Sequence, residues 1–313
     1  MIEILPKTNI DFIGKRNIAF LFSGLLVLFG VIALIQIGRG EANMGIDFAG
    51  GTAVQLKFEK SVKIDEARRI LEDNGFPDAE LQEFTEGNKL LIRLKSTTKG
   101  RSGAQAAAEE RTAERIVGLF AQKFPDNRFV VDSSTEIGPA IGAELRQKAV
   151  IAVLFSMIGI VVYIWLRFEF RFGIAAAIAT FHDVFAVLGI FYLLDKEITL
   201  LIVTALLTLA GYSLTDTVVV FDRIRENLRL RRRDPLELVI NNGINQVLNR
   251  TIVVSLTAFL VLVALFFFGG EVIHDFSFAL LLGVIIGTYS SIFVASPILV
   301  VWRGAAGRLL KRA

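Results

Sequence analysis

The sequence predicts a polytopic α-helical membrane protein with six transmembrane helices and one extracytoplasmic α+β domain of ferredoxin-like βαββαβ order. Long apolar segments recur along the chain, with arginine and lysine gathered at alternate ends of them. Between the first two segments, residues 38–146 change to the composition of a soluble domain. One apolar segment also carries an acid, Asp216, well before its charged flank begins.

Composition limits the choices. Of 313 residues, 53% are hydrophobic and 21% charged. With a mean hydropathy of +0.58, the chain is too apolar for an ordinary globular domain of this length. The net charge of +3 is unevenly spread, which suits contact with lipid and membrane topology better than nucleic acid. There is no cysteine, so no disulfide, iron–sulfur cluster or thiolate metal site can form. His182 and His274 are the only histidines, too few for a histidine-based metal site, so no metal and no cofactor is expected. No Gly-x-x-x-x-Gly-Lys-Ser/Thr run marks an ATP site.

After a short cytoplasmic N-terminus, residues 1–17, the run 18–37 is about long enough to cross ~30 Å of hydrocarbon and is transmembrane helix 1. It is longer than a signal-peptide core, and Gly-Arg-Gly-Glu-Ala-Asn is a poor cleavage site, so it is expected to stay in place. In the domain, 52–58 alternates as a strand, and 65–74 has helical spacing that stops at Gly75. Strands at 79–84 and 90–94 flank the turn 86–89. A Gly-, Ser- and Lys-rich loop at 97–104 leads to a helix at 104–124, and a strand at 128–133 completes the βαββαβ order.

Five further apolar segments follow at about 148–166, 172–194, 198–221, 251–268 and 276–301, so that helices 2–4 occupy 147–221 and helices 5–6 occupy 251–301. If every segment crosses, Lys7, Lys15, Arg16, Arg167, Arg171, Arg223, Arg225, Arg229, Arg250 and the basic C-terminus 302–313 share one side. The opposite short loops hold only Lys196 among basic residues. Both termini are therefore predicted to be cytoplasmic and the domain extracytoplasmic. In the basic cytoplasmic link 222–250, Asp234-Pro235 reads as a helix start. Leu236, Val239, Ile240, Ile244, Val247 and Leu248 share one face, which predicts an amphipathic helix lying along the membrane surface.

An ionisable group within hydrocarbon is costly and by default points to function. Asp216 lies ~9 Å inside the cytoplasmic boundary at the usual helical rise. Thr204, Thr208 and Tyr212 precede it at four-residue steps, bordered by Thr215, and form a polar row that should face other helices or a wet seam able to pass protons. Arg250, at the start of span 5, is the natural counter-charge by depth. The alternative is a static buried ion pair. Asp183, beside His182 in span 3, is either a second proton-relay group or a hydrogen-bonded structural acid, with the structural role preferred. Ala279, Gly283, Gly287, Ser291 and Ala295 form a row of small residues suited to close helix packing. Gly45, Asp47, Gly50 and Gly51 lie in an external turn where glycines permit tight bends and Asp47 can cap adjacent amides. The residues alone leave open a proton-coupled translocation factor, a proton-driven exporter of small molecules or lipids, and a purely structural subunit.

Three motifs together carry a resemblance: Gly45-Ile-Asp-Phe-Ala-Gly-Gly51, Gly211-Tyr-Ser-Leu-Thr-Asp-Thr-Val-Val-Val-Phe-Asp-Arg-Ile-Arg-Glu-Asn227 and Asn245-Gln-Val-Leu-Asn-Arg-Thr251. Across almost the whole chain it resembles the SecF family, the smaller partners of SecD in the bacterial Sec translocation apparatus, each partner similar to half of an RND-type exporter. The resemblance implies an inner-membrane accessory subunit, without its own ATPase, that works with SecD beside the SecYEG channel and other Sec accessory subunits. It implies that the proton gradient is used to draw unfolded preproteins outward, with Asp216 and Arg250 as the proton-linked pair.

Overall fold

The structure, a computed structural model, describes residues 8–84, 87–95, 112–231 and 233–302. The expected loop 97–104, the first part of the helix expected from 104, and the C-terminal basic residues from Arg303 lie outside them. The chain forms two compact units. One takes the described residues up to Asn43, Ala152–Lys196 and those from Leu201 onward; the other takes Met44–Ile151 and Glu197–Leu200.

Helix α1 (Arg16–Arg39) ends on Gly40 in the left-handed region. In the α+β unit, the short helix α2 (Ile46–Ala49) precedes β1 (Gly51–Phe58), α3 (Ile64–Asp73), β2 (Glu80–Phe84), β3 (Lys89–Lys95), α4 (Thr112–Lys123) and β4 (Phe129–Ile137). The strands form one antiparallel sheet in the order β2-β3-β1-β4. That order is the ferredoxin-like arrangement of βαββαβ. Period-2 alternation sends Val54, Leu56 and Phe58 of β1 and Leu90 and Ile92 of β3 into one core. That core also holds Ala67 and Leu71 of α3 and Ile116 and Phe120 of α4. Each fully buried large side chain stabilises the unit by roughly 1.5–3 kcal/mol. Strand β4 continues beyond the expected Ser133 to Ile137 because its backbone pairs with β1 as far as Gly51. The ladder overrides the polar sequence Asp132–Glu136.

The remaining helices are α5 (Pro139–Arg167), α6 (Phe170–Leu193), α7 (Leu200–Leu230), α8 (Leu236–Phe268) and α9 (Gly270–Ser290), the last running into a π-helical turn at Ser291–Ala295. With α1 they make six helices long and apolar enough to cross a membrane, the last counted over Val272–Trp302. Helices α1 and α6 cross at glycine. A methyl group at Gly30 would collide with the Phe185 carbonyl, and one at Gly189 would stand 2.6 Å from Gly30 N. Helix α5 is almost bare, with Leu154, Phe155, Ile158 and Trp165 exposed. Helix α7 runs past the expected end at 221, where its charges pair at the surface: Arg167 with Asp222 at 2.8 Å and Arg223 with Glu226 at 2.6 Å.

The expected helix along the membrane surface is corrected. Its residues are the start of α8, continuous with span 5; Val239 is buried, and Ile240, Ile244 and Leu248 are buried in a core shared with Phe12, Ile13, Phe221 and Ile224. Protein, not lipid, covers the apolar stripe. The polar edge of the same face clamps the N-terminal segment, as Asn241 Oδ1 accepts from Phe12 N and Asn245 Oδ1 from Ile10 N, each at 2.9 Å.

Candidate functional site

Helix α7 has two chemically different sides. Its inner side, including Ala205, Leu209, Ser213, Asp216, Thr217 and Val220, is buried, with Asp216 only 5% exposed. Its other side presents Thr204, Thr208, Gly211 and Thr215, all exposed, with Tyr212 at the border. Thr208 and Thr215 return their hydroxyls to the carbonyls of Thr204 (2.9 Å) and Gly211 (3.1 Å), which lowers the cost of a polar face in an apolar setting. The polar row therefore lies on the open side of the helix and is not covered by the described residues of this chain.

Asp216 accepts a hydrogen bond from Ser255 Oγ of α8 at 3.3 Å. Thr288 Oγ1 of α9 lies 2.7 Å from Ser255 Oγ and 2.8 Å from the Val284 carbonyl, and its single proton serves one of them at a time. A hydroxyl chain thus runs from α9 through α8 to the acid on α7. Among the described residues, the buried hydroxyls of Thr217 on α7 and Thr251 on α8 make no hydrogen bond. Arg250 is exposed and makes no ion pair with Asp216 among the described residues. Ser255 is the α8 residue that faces the acid, and Arg250, five residues earlier, lies about 140° round the helix and ~7.5 Å along it. Equal depth does not bring the two charges together. Thr251, one turn before Ser255, shares the facing side.

Asp183 on α6 is fully buried. Its Oδ2 accepts from Ser213 Oγ of α7 and from Ser290 Oγ of α9, the latter at 2.8 Å, and its Oδ1 lies 2.8 Å from His182 Nδ1. Successive residues of a helix point about 100° apart, and the imidazole turns back onto the neighbouring carboxylate. Its Nε2 is buried without a hydrogen-bond partner among the described residues. Ala279, Gly283, Gly287, Ser291 and Ala295 are all buried. A methyl group at Gly287 would stand 3.2 Å from Ser213 Cβ, and one at Gly283 would press on Leu209, so the row lets α9 approach α7 of this same chain. Ser290 and the π-helical turn follow directly, and the turn re-aims α9 ahead of Pro297.

The Gly45–Gly51 segment is not a simple turn, since Ile46–Ala49 is a short helix. Asp47 Oδ2 accepts from the amide of Leu200, the first residue of α7, at 2.9 Å rather than from amides beside it. Gly50 (φ 76°) and Gly51 (φ 139°) occupy conformations that favour glycine, and a methyl group on Gly51 would collide with the Leu94 carbonyl.

Known proteins share this arrangement. Residues 120–305 match the family model described as protein export membrane protein SecD/SecF, C-terminal, and residues 42–62 match the SecD/SecF GG motif. The chain belongs to the SecD/SecF family. A protein translocase subunit SecF from Thermodesulfovibrio yellowstonii is 52% identical over 300 residues, covering 95% of this chain and 96% of that protein. The subunit of the same name from Calditerrivibrio nitroreducens is 41% identical over 295 residues, covering 94% of each. Among solved structures, the translocon-associated membrane protein SecDF of Thermus superposes with a TM-score of 0.80 at 38% identity over 97% of this chain. SecDF in its super-membrane-facing form gives 0.67 at 37% identity. This chain spans 40% of the length of the first of these.

Proposed function

We propose that the chain is an accessory subunit of the Sec translocase that, together with SecD, uses the proton gradient to promote preprotein movement across the cytoplasmic membrane. The observation that carries this reading is Asp216, a buried acid that accepts from one hydroxyl among the described residues, on a helix whose open side is polar. Such an acid has somewhere to receive a proton from and little to hold it in one state. Relatives named as translocase subunits, and solved SecDF chains more than twice as long, support SecD as the partner that covers the open side of α7. The same relatives give the exporter reading no support.

In this reading both termini are cytoplasmic and the α+β domain extracytoplasmic, supported by the basic residues on alternate flanks. Protonation of Asp216 removes the negative charge that would draw Arg250 to it. As α7 and α8 slide, the acid exchanges between Ser255, its partner here, and Arg250. Asp183 holds the surrounding helices in register. One charge crossing ~100 mV yields about 2.3 kcal/mol, enough to shift the balance of two arrangements and move a chain that is already unfolded. The SecYEG channel holds that chain, and its ATP-driven entry belongs to other subunits.

Copurification of the tagged chain from membranes in mild detergent tests the assignment. Recovery of SecD and the channel is expected. Recovery of the chain only with copies of itself, coupled to small-molecule efflux, would overturn it.

A further inference from the structure

Residues Glu197–Leu200 join α6 to α7 in sequence, yet they are held within the α+β unit. Met44 and Ile198 form a parallel bridge, and Gly45 N donates to the Ile198 carbonyl at 3.0 Å. Asp47 takes the Leu200 amide at 2.9 Å. From the sheet, Arg93 and Lys95 of β3 approach the Glu197 carboxylate at 3.3 and 3.6 Å. Burial pushes the Glu197 carboxyl up from its ordinary range while the two cations pull it back.

The approach is close enough to select residue types. A methyl group on Gly45 would stand 2.7 Å from Thr199 Cγ2. On Gly50 it would stand 3.0 Å from Cα of Pro139, the first residue of α5, and on Gly142 of α5 it would lie 3.0 Å from Gly50 N. Within seven residues the GG segment thus touches β3, the head of α5 and the head of α7.

We propose that Gly45–Gly51 is the joint through which the α+β domain and the helix bearing Asp216 move together, with Asp47 as its positioning residue. The inference rests on the proton-coupling reading of Asp216. The first amides of a helix have no partner within it, and a carboxylate there is favoured by the helix dipole, so Asp47 fastens α7 at its first turn, through the Leu200 amide. From Leu200 to Asp216 the helix carries any displacement of its head over ~24 Å at the usual rise. Glu197, held by the sheet, adds a second fastening at the same point.

The chain has no cysteine, so spin labels can be placed at Lys123→Cys on α4 and Leu230→Cys at the end of α7, both exposed. The full chain is assembled in vesicles with a cysteine-free SecD and the channel, and the label separation is measured by pulsed electron paramagnetic resonance. Asp216→Asn, which mimics the protonated acid, is expected to displace the main distance peak. Adding Asp47→Ala is expected to remove that displacement, and Asp47→Ala alone, in the parent chain, is expected to lower gradient-driven translocation of a urea-unfolded secretory precursor about fivefold, the factor that loss of a helix cap allows. Asp47→Asn, whose amide oxygen still caps, is expected to retain both. If the peak moves equally with Asp47→Ala, the joint is overturned and the proton reading stands. If Asp216→Asn changes neither peak nor translocation, the proton reading falls and takes the joint with it. Should Asp47→Ala not accumulate in the membrane, Glu197→Gln makes the same comparison, with loss of the displacement expected and its persistence overturning the joint.

Discussion

Asp183 and Asp216 are both aspartates buried among apolar helices, yet they are served very differently. Asp183 receives hydroxyls from α7 and α9 and an imidazole from its own helix. Asp216 has, among the described residues, a single hydroxyl at 3.3 Å, longer than the usual range for an oxygen donor, and a polar open side on its helix. A carboxylate can accept about four hydrogen bonds. On the proposed reading the first acid, close to filled, pins three helices together, and the second, left wanting, is the one that exchanges a proton or a partner. Burial alone does not separate a working acid from a structural one. The number and quality of its donors does.

Stability measurements can break that distinction. Asp183→Ala strands the Ser213 and Ser290 hydroxyls and opens a void, so a loss of about 3 kcal/mol is expected, read as a lowered unfolding temperature in detergent and poor accumulation. An equal loss from Asp216→Ala would erase the contrast. Ser290→Ala removes one bond of the pin at 2.8 Å and should cost about 1 kcal/mol in the same assay. Ser255→Ala removes the long bond to Asp216 and the contact with Thr288, which keeps the Val284 carbonyl, so the expected stability change is within about 0.5 kcal/mol, while gradient-driven translocation falls severalfold. The smallest stability effect belongs to Thr208→Val on the open side of α7. The isolated chain should unfold as before, and the change should appear only as weaker retention of SecD during copurification.

Much of the fold could be read because its signals are local. Alternation in β1 and β3 and helical spacing in α3 reflect burial on one side, and each element recruits its neighbours by the same rule. The stripe Val239, Ile240, Ile244 and Leu248 misled because an apolar face looks the same whether lipid or Phe221 and Ile224 cover it. Asp216 stood out as a charge in an apolar run, but Ser255 and Thr288 did not. Hydroxyl residues are common in these spans, and only the azimuth of each helix decides which ones meet. The four-residue step from Thr251 to Ser255 was the available hint. Arg250 shows the same limit from the other side, since depth follows from counting residues and facing does not. For Asp47, capping was readable, whereas its partner lies 153 residues away and only the fold supplies it.

The account depends most on Asp216 as the group through which the gradient acts. The direct measurement is precursor movement in energised vesicles after ATP has been removed from partly translocated chains, with and without a protonophore. For the parent protein, movement should stop when the protonophore is added. For Asp216→Asn, present at the same level and bound to SecD, it should already be at that stopped level and insensitive to the protonophore. Protonophore-sensitive movement at the parent rate in Asp216→Asn would contradict the account.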